Sequence, residues 1–590
     1  MLKPSVPGSV QVESRELLQL YLNGEHDTLT ASLCSVFDYL GHTTYLELND
    51  DNRASIIQFV KVFLTIFTQP DYVIPEQYIA HFVSLNELIS NLTAMTPFRN
   101  TDGFLELLRY QPSNLVKILT LYSARNIVRF DVRPFFDVQP ILAAQWYCRF
   151  CNLYKSGLVR DDVCRHMAEH LNYRDERMPL TPDITEPYFG STYVDESIDR
   201  HVKPFLNQVV RRSTQLYCNN RPNPRKIAII SDMWEPTHSV FRTLSGYVRS
   251  LKDRFHLTFF HCLRREHLDF SLFDEVHHLE FRDLSLDVGP LQTNDFAVVY
   301  FPDIGMTLPS IMLSNYRIAP IQICGTGHPV STWGSEIDYF MSGVEVEDSD
   351  GQRNYSERLL LLPGMGAIHN RPNYELTGRK KSTSDIIINF PSSGQKLNAR
   401  FLATLRKLLD QVRRPVRFRF FPAVLDMENS YLPFVATVRE ALAGTSAILE
   451  IMPFLHYSEY MGLMEEGDFT LDTYHFGGSN VVSDSLFVRK PTVAWQGDKW
   501  YNRISAGMLR RVGLDELITH SEDEYLATAL RLIHDDAWRA QLTTRIQTVD
   551  LNATVFSDAE APSFRRAIEF LIANHDRLKM ETNRKPIRIL

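Results

Sequence analysis

The apolar positions of the chain fall into two regimes. Up to residue 215 they recur at helical spacing, in ESRELLQLYLNG, ASIIQFVKVFLTIFTQ, LNELISNLTAM, TDGFLELLRYQ, SNLVKILTLYSA and QPILAAQWYCRFCNLYKSG. That spacing predicts amphipathic helices packed on one another. Pro and Gly-Asn/Asp punctuation separates them, and no fixed period repeats, which argues against a tetratricopeptide array. The segment 171–225 is rich in Pro, Asn and Arg and reads as a linker crossing a surface. From 226 the pattern changes. Short β-rich runs (KIAIISDM, HLTFFHC, EVHHLEF, FAVVYFPDIG, PIQICGTG, DYFMSG, RLLLLPG) alternate with helical stretches. A second such series runs through IIINFP, VRFRFFP, ILEIMPF, FTLDTY and PTVAW, and the tail is helical. Each series predicts a parallel sheet covered by helices on both faces. The expected division is an all-α domain over 1–215, a first Rossmann-like domain over 226–375, a second over 384–560, and a C-terminal helical tail over 561–590.

Length and composition narrow the class. At 590 residues the chain exceeds one core, and three or four domain-sized units are expected. With 44% hydrophobic and 23% charged residues it reads as a soluble globular protein. A net charge of −9 offers no basic footprint for nucleic acid. The 7 cysteines are too scattered for a disulfide framework. Cys148-x-x-Cys151 with Cys164 and His166 has zinc-like spacing. It falls mid-pattern in a helix, where i,i+3 cysteines share a buried face and act as small hydrophobes, so no metal is expected there. No apolar run follows a basic start and no 18-residue apolar stretch occurs, so neither a signal peptide nor a membrane span is expected. The expected compartment is the cytoplasm.

The candidate chemistry falls just after strands, where ligands sit in sheets of this kind. The strongest stretch is FTLDTYHFGGSNVVSDSLFV, residues 469–488. A strand runs into a glycine-bearing turn, Gly477 to Asn480, and a helix opens with Asp484 one turn in. Such a turn presents free N–H groups and a positive helix end to an anion. The carboxylate would repel a phosphate but suits a pair of ribose hydroxyls. An ordinary strand–turn–helix with a surface Asp shows the same pattern. After the first strand of the second series, Ser393-Gly-Gln-Lys396 offers a phosphate site without metal, Lys396 supplying a point charge; it is not a Walker A loop. A surface lysine is the alternative. In the first series, His238 lies at a loop-to-helix junction as a hydrogen-bonding group or proton acceptor, or as a structural cap. Gly325-Thr-Gly327-His328 permits close backbone approach to a ligand, or forms a plain turn. Trp495 to Arg503 is a loop able to close over a ligand, or a structural one. Asp348-Ser-Asp350 lies in a polar loop and makes a weak metal-bridging motif.

Taken together these motifs resemble a known family: the bacterial cytoplasmic N-glucosyltransferases that modify high-molecular-weight adhesins, and more distantly the catalytic half of the O-GlcNAc transferases. The run Pro302-Asp-Ile-Gly-Met-Thr-Leu, the run Ala319 to Thr332, and His238-Ser-Val-Phe-Arg-Thr243 are similar to the adhesin-modifying branch. Gly478-Ser-Asn480-Val-Val-Ser-Asp484 and Arg511-Val-Gly-Leu514 resemble both branches. Arg419-Phe-Phe-Pro-Ala-Val424 is closer to the O-GlcNAc branch. The resemblance covers about 226–520. It implies a GT-B fold, two Rossmann-like domains facing a cleft with the acceptor side first and the nucleotide-sugar side second. It also implies a UDP-hexose donor, a protein or peptide acceptor, inversion at the anomeric carbon, and no metal or other cofactor. By position it places Ser393 and Lys396 at the diphosphate, Asn480 and the following N–H groups (Val481) at the phosphate end, and Asp484 on the ribose. It places His238 in the cleft and His456 near a uracil- or cleft-lining stretch, and Gly327 and His328, in a run similar to the adhesin-modifying branch, are further candidates for binding the donor. Two departures, Pro-Ala-Val after VRFRF and the lack of a glycine following Asn480 in GGSNVV, leave the donor hexose open, and Asn against Ser/Thr as the acceptor. A non-catalytic sugar-nucleotide-binding module is the reading from another class.

Overall fold

The computed structural model describes residues 14–42, 49–109, 114–152, 160–213, 221–292, 295–422 and 429–589. Ala423, Val424 and Cys218 lie outside the described residues. The N-terminal region is helical throughout its described length, ending in α1 (Thr185–Val194) and α2 (Asp199–Ser213). Tyr188 and Asn207 on these helices both donate to the Thr332 carbonyl, and Lys203 Nζ donates to the Ser331 carbonyl at 3.0 Å. The region is therefore fastened to the first sheet, and part of what reads as a linker in sequence is packed helix.

The first sheet holds β1 (Asn223–Ile230), β2 (His256–His261), β3 (Glu275–His278), β4 (Phe296–Phe301), β5 (Ile321–Cys324), β6 (Tyr339–Gly343) and β7 (Arg358–Leu362). The second holds β8 (Ile386–Phe390), β9 (Val416–Phe420), β10 (Ile448–Ile451), β11 (Phe469–Leu471), β12 (Thr492–Trp495) and β13 (Ile518–Thr519). Last comes β14 (Ile587–Arg588), which returns to the first sheet. The orders are β14-β7-β6-β5-β4-β1-β2-β3 and β10-β9-β8-β11-β12-β13, with parallel pairing throughout. Each order reverses once, between β4 and β1 and between β8 and β11. Loops leaving the two strands at a reversal diverge to opposite faces and open a crevice at the strands' carboxyl ends.

The alternation along β1 shows why the sheet is apolar on both faces. Ile227 and Ile229 join one core with Leu244, Tyr247 and Val248 of α3 (Ser239–Arg249), while Ala228 and Ile230 join the core on the other face. In the second unit, α4 (Tyr457–Glu466), α5 (Asn480–Phe487) and α6 (Ile504–Arg511) are the helices that shape the site.

The tail departs from the expectation. It is a helix, α7 (Pro562–Met580), followed by β14, and both are built into the first unit. Phe564 lies 5.7 Å from the Tyr247 ring and 4.9 Å from the Tyr300 ring, fully buried. Two-residue strands such as β13 and β14 carry no periodicity, so the sequence pattern does not predict them. Phe564→Ala should lower the urea midpoint of the first unit, at a cost of about 3–5 kcal/mol for the cavity. Fluorescence of the buried Trp234 reads that unit; an unchanged midpoint would show that the tail is not part of its core.

Candidate functional site

The second sheet reverses between β8 and β11, and the loops after these two strands meet. After β8 a single 3-10 turn, Gly394–Lys396, leads to Asn398, whose side chain caps the next helix by accepting from Phe401 N–H. Asn398 also donates to the Tyr474 carbonyl at 2.9 Å, and the hydroxyls of Ser392 and Thr473 bond at 3.1 Å. Lys396 Nζ donates to the Gly477 carbonyl at 2.9 Å and lies 4.9 Å from the centre of the Phe476 ring. It is partly buried, not the surface lysine of the alternative reading. Burial pulls its ammonium down to about 8, with Asp472 opposing. Asp472, at the end of β11, accepts from Ser505 Oγ at 2.6 Å, Gly478 N–H at 2.8 Å and Thr473 N–H at 3.0 Å. Burial lifts its carboxyl above the usual range against those bonds and Lys396. Ser393 lies partly exposed at the start of the same turn.

The glycines of the turn are required by the protein itself. A Cβ on Gly478 would lie 2.2 Å from Val481 Cγ2, and one on Gly477 would lie 2.9 Å from the Tyr501 carbonyl. What approaches them is the Asp472 carboxylate and the Tyr501 backbone. Ser479 does not cap α5 with its side chain, because its hydroxyl is 2.8 Å from His369 Nε2. The first-turn N–H groups, at Asn480 and Val481, have no helical acceptor, as at any helix start. Asn480 donates to the Ser239 carbonyl of α3 at 3.5 Å, and its Oδ1 is buried without a partner.

Asp484 is not a surface carboxylate. Its side chain is 3% exposed, and Oδ1 accepts from Arg242 Nη2 at 2.6 Å and from the Tyr457 hydroxyl at 2.8 Å. Arg242 belongs to α3 in the first unit, so this ion pair crosses the cleft. Its guanidinium carbon lies 5.3 Å from the Tyr457 ring centre. Burial raises the Asp484 pKa, and Arg242 and Tyr457 work against that rise. His456 stands at the N-cap position of α4 without a side-chain cap bond and is exposed; its neighbour Tyr457 is the residue that reaches the site. Arg242 stands one turn beyond His238 in HSVFRT, so the signal for it was its i,i+4 spacing on a helix that opens at the cleft.

Across the cleft, His238 is the N-cap of α3. Its Nδ1 accepts from Val240 N–H at 3.3 Å, and burial, with Arg265, lowers its pKa to about 4. The ring is then neutral with its hydrogen on Nε2, which makes Nε2 a donor. Asp232 accepts from the N–H groups of Cys262 and Leu263 and from Thr307 Oγ1, tying the ends of β1 and β2 together. Asp303, at the end of β4, takes the Ser231 hydroxyl at 2.5 Å, and burial pushes its carboxyl up to about 7. Gly327 is packed against protein: a Cβ there would lie 2.6 Å from the Pro302 carbonyl. His328 is buried, donates Nδ1–H to the Ile304 carbonyl at 3.2 Å and lies 4.6 Å from the Phe189 ring of α1, tilted to it, so it faces the helical region. The loop 495–503 joins the units: Trp500 Nε1 donates to the Met365 carbonyl and Arg503 Nε to the Val346 carbonyl. Among the described residues no group of three His, Cys, Asp or Glu is arranged to hold a metal, and Cys148 and Cys151 are buried free thiols.

Two Rossmann-like units with facing carboxyl-end loops and a helical N-terminal region define the GT-B architecture. No protein-family model matches the chain. It is 24% identical over 578 residues to a UDP-glucose:protein N-beta-glucosyltransferase of Actinobacillus pleuropneumoniae serotype 5b, covering 89% of this chain and 91% of the relative. A probable UDP-N-acetylglucosamine–peptide N-acetylglucosaminyltransferase SPINDLY of Hordeum vulgare is 24% identical over 260 residues, 43% of this chain and 27% of the relative. Among solved structures, a mutant O-GlcNAc transferase of Thermobaculum terrenum superposes with a TM-score of 0.60 at 16% identity, covering 92% of this chain and 96% of that one. The resemblance to N-glucosyltransferases related to O-GlcNAc transferase, and the GT-B fold it implied, are borne out by these relatives. No helix among the described residues is long and apolar enough to cross a membrane.

Proposed function

We propose that the protein is an inverting, metal-independent protein glycosyltransferase. It moves a hexose, glucose, from a UDP-sugar to Asn side chains in Asn-X-Ser/Thr sequons of a polypeptide such as an adhesin. One observation carries this reading: a lysine ammonium and a helix start converge on one short turn at the reversal point of the second sheet, with a buried carboxylate one turn into that helix. Phosphates suit the first two groups and ribose hydroxyls the third. The near full-length similarity to a UDP-glucose-dependent relative supports the donor and the acceptor.

In this reading the bond from the anomeric carbon to the β-phosphate oxygen breaks as the acceptor nitrogen attacks from the opposite side, and the proton the nitrogen sheds passes to a phosphate oxygen of the UDP or to solvent. Charge grows on the leaving diphosphate, where Lys396 and the first N–H groups of α5 face it. A carboxamide nitrogen is a poor nucleophile, so the enzyme's contribution is to hold it in line. His238, neutral and with Nε2–H outward of its cap bond, acts as a hydrogen-bond donor that orients a reactant, not as the base.

The test is mass spectrometry of a peptide with one Asn-X-Thr sequon, incubated with UDP-glucose or UDP-GlcNAc, with and without EDTA. Hexose on Asn, undiminished by EDTA, is the expected product. Sugar on Thr moves the chain to the O-linked branch, and absence of transfer from either donor reopens donor, acceptor and catalysis, with the fold standing. Lys396 also sets a pH dependence. The ammonium is the active form, so kcat/KM should fall as pH rises through about 8, by about tenfold per pH unit. A profile flat to pH 10 contradicts the role given to Lys396.

A further inference from the structure

The turn that carries Lys396's acceptor carbonyl is held from outside the second unit. Phe476, whose ring lies 4.9 Å from Lys396 Nζ, stacks on Tyr193 of α1 with ring centres 4.5 Å apart. It also stacks on Tyr501 at 4.2 Å and nearly parallel, and Gly477 N–H donates to the Tyr501 carbonyl at 3.1 Å. Next to it, His475 Nε2 donates to the Thr192 carbonyl of α1 at 2.8 Å. Lys499, beside Tyr501, reaches back to the Glu196 carbonyl and lies 3.7 Å from the Asp199 carboxylate. Tyr193 and Phe476 are both buried, 5% and 6% exposed. Thus the helical N-terminal region grips His475 and Phe476 from one side, and Phe476 with Gly477 forms the seat of Lys396.

We propose that Tyr193 is a positioning residue: through the Phe476 ring, the N-terminal helical region fixes the ammonium of Lys396 and so completes the diphosphate-binding site of the second unit. Tyr193 touches no substrate in this scheme. A lysine has four rotatable bonds, and its charge is useful only where it is held. Stacked aromatic rings and a cation over one of them hold it without spending its N–H donors. Lys396 keeps two further N–H groups beyond the one given to Gly477.

The inference rests on the nucleotide-sugar reading, and calorimetry on the full chain separates the two. UDP and uridine differ only in the diphosphate. Tyr193→Leu should weaken UDP by about tenfold and leave uridine within about twofold. Tyr193→Phe, which keeps the ring, should bind UDP like the wild type. On a Lys396→Ala background, Tyr193→Leu should cost nothing further. If Tyr193→Leu unfolds before it can be titrated, Phe476→Leu asks the same question from the other ring and should give the same split. Equal losses for UDP and uridine, no loss for either, or full additivity with Lys396→Ala would overturn the positioning role and leave the functional reading intact. A wild-type protein that binds neither compound overturns the functional reading and this inference with it.

Discussion

Lys396→Ala is expected to remove transfer almost completely, lowering kcat by about a thousandfold, while the protein stays folded. The size follows from where the charge sits: losing one preorganised donor at a site of developing negative charge costs about 10²–10³ in rate, and here the donor is a cation. The fold should tolerate the change. Lys396 contributes one hydrogen bond, and Asp472 keeps Ser505, Gly478 and Thr473 as donors when the ammonium is gone. The stability loss is therefore about 1–2 kcal/mol. Steady-state kinetics beside thermal unfolding checks both halves. Activity within tenfold of wild type would remove Lys396 from the diphosphate. Lys396→Arg should rescue little, because a planar fork does not fit a point-charge seat over Phe476.

The second large effect is at the pair that bridges the cleft. Arg242→Leu strands a buried carboxylate, and removing one partner of a buried pair costs about 3–5 kcal/mol. The groups that then remain near Asp484 are the hydroxyl of Tyr457 and the Tyr460 ring on the same helix, and the histidine near Arg242 is His369. His369 is held neutral by burial, with a pKa near 3, so it supplies no replacement cation. Asp484, already raised by burial, rises further. The sign follows directly. A carboxyl whose folded pKa is raised binds more protons folded than unfolded. The variant should therefore lose stability as pH rises from about 4 toward the raised value. Denaturant titrations at pH 5 and pH 8 test this, the variant being weaker at pH 8. Arg242→Leu combined with Asp484→Leu should recover much of the stability, since an apolar pair can replace a buried ion pair. It should not recover UDP binding, because Asp484 is the proposed ribose acceptor. Recovery of both would mean that the pair is structural only.

These two sites differ in how they could be read. The strand-turn-helix order, the parallel sheets and the placement of 393–396 and 477–484 after strands were legible, because periodicity and loop composition are local properties. Lys396 and Asp484 were legible as residue types in such loops. Their surroundings were not. Arg242 is 242 residues from Asp484 and meets it only when α3 and α5 face each other. His456 and Tyr457 are adjacent, and which one enters the site depends on how α4 lies against α5. Gly327 and His328 had the composition of a ligand loop, yet the sheet's packing turns them toward Pro302 and the N-terminal helices. The pKa of His238 and the side of its ring that carries the hydrogen are set by a cap bond to Val240 N–H, which composition does not encode.

By itself, then, the sequence determined the class of the fold, the two βα series and the loops in which charged and small polar residues stand at strand ends. Those follow from hydrophobic period and turn chemistry over a few residues. Only the tertiary structure decided that α7 packs on the first sheet and β14 joins its edge, that Asp484 is paired across the cleft, and that the helical N-terminal region holds the seat of Lys396. Each of these joins residues that are far apart along the chain, and burial, ion pairing and ring stacking at such junctions depend on which surfaces the packed elements bring together.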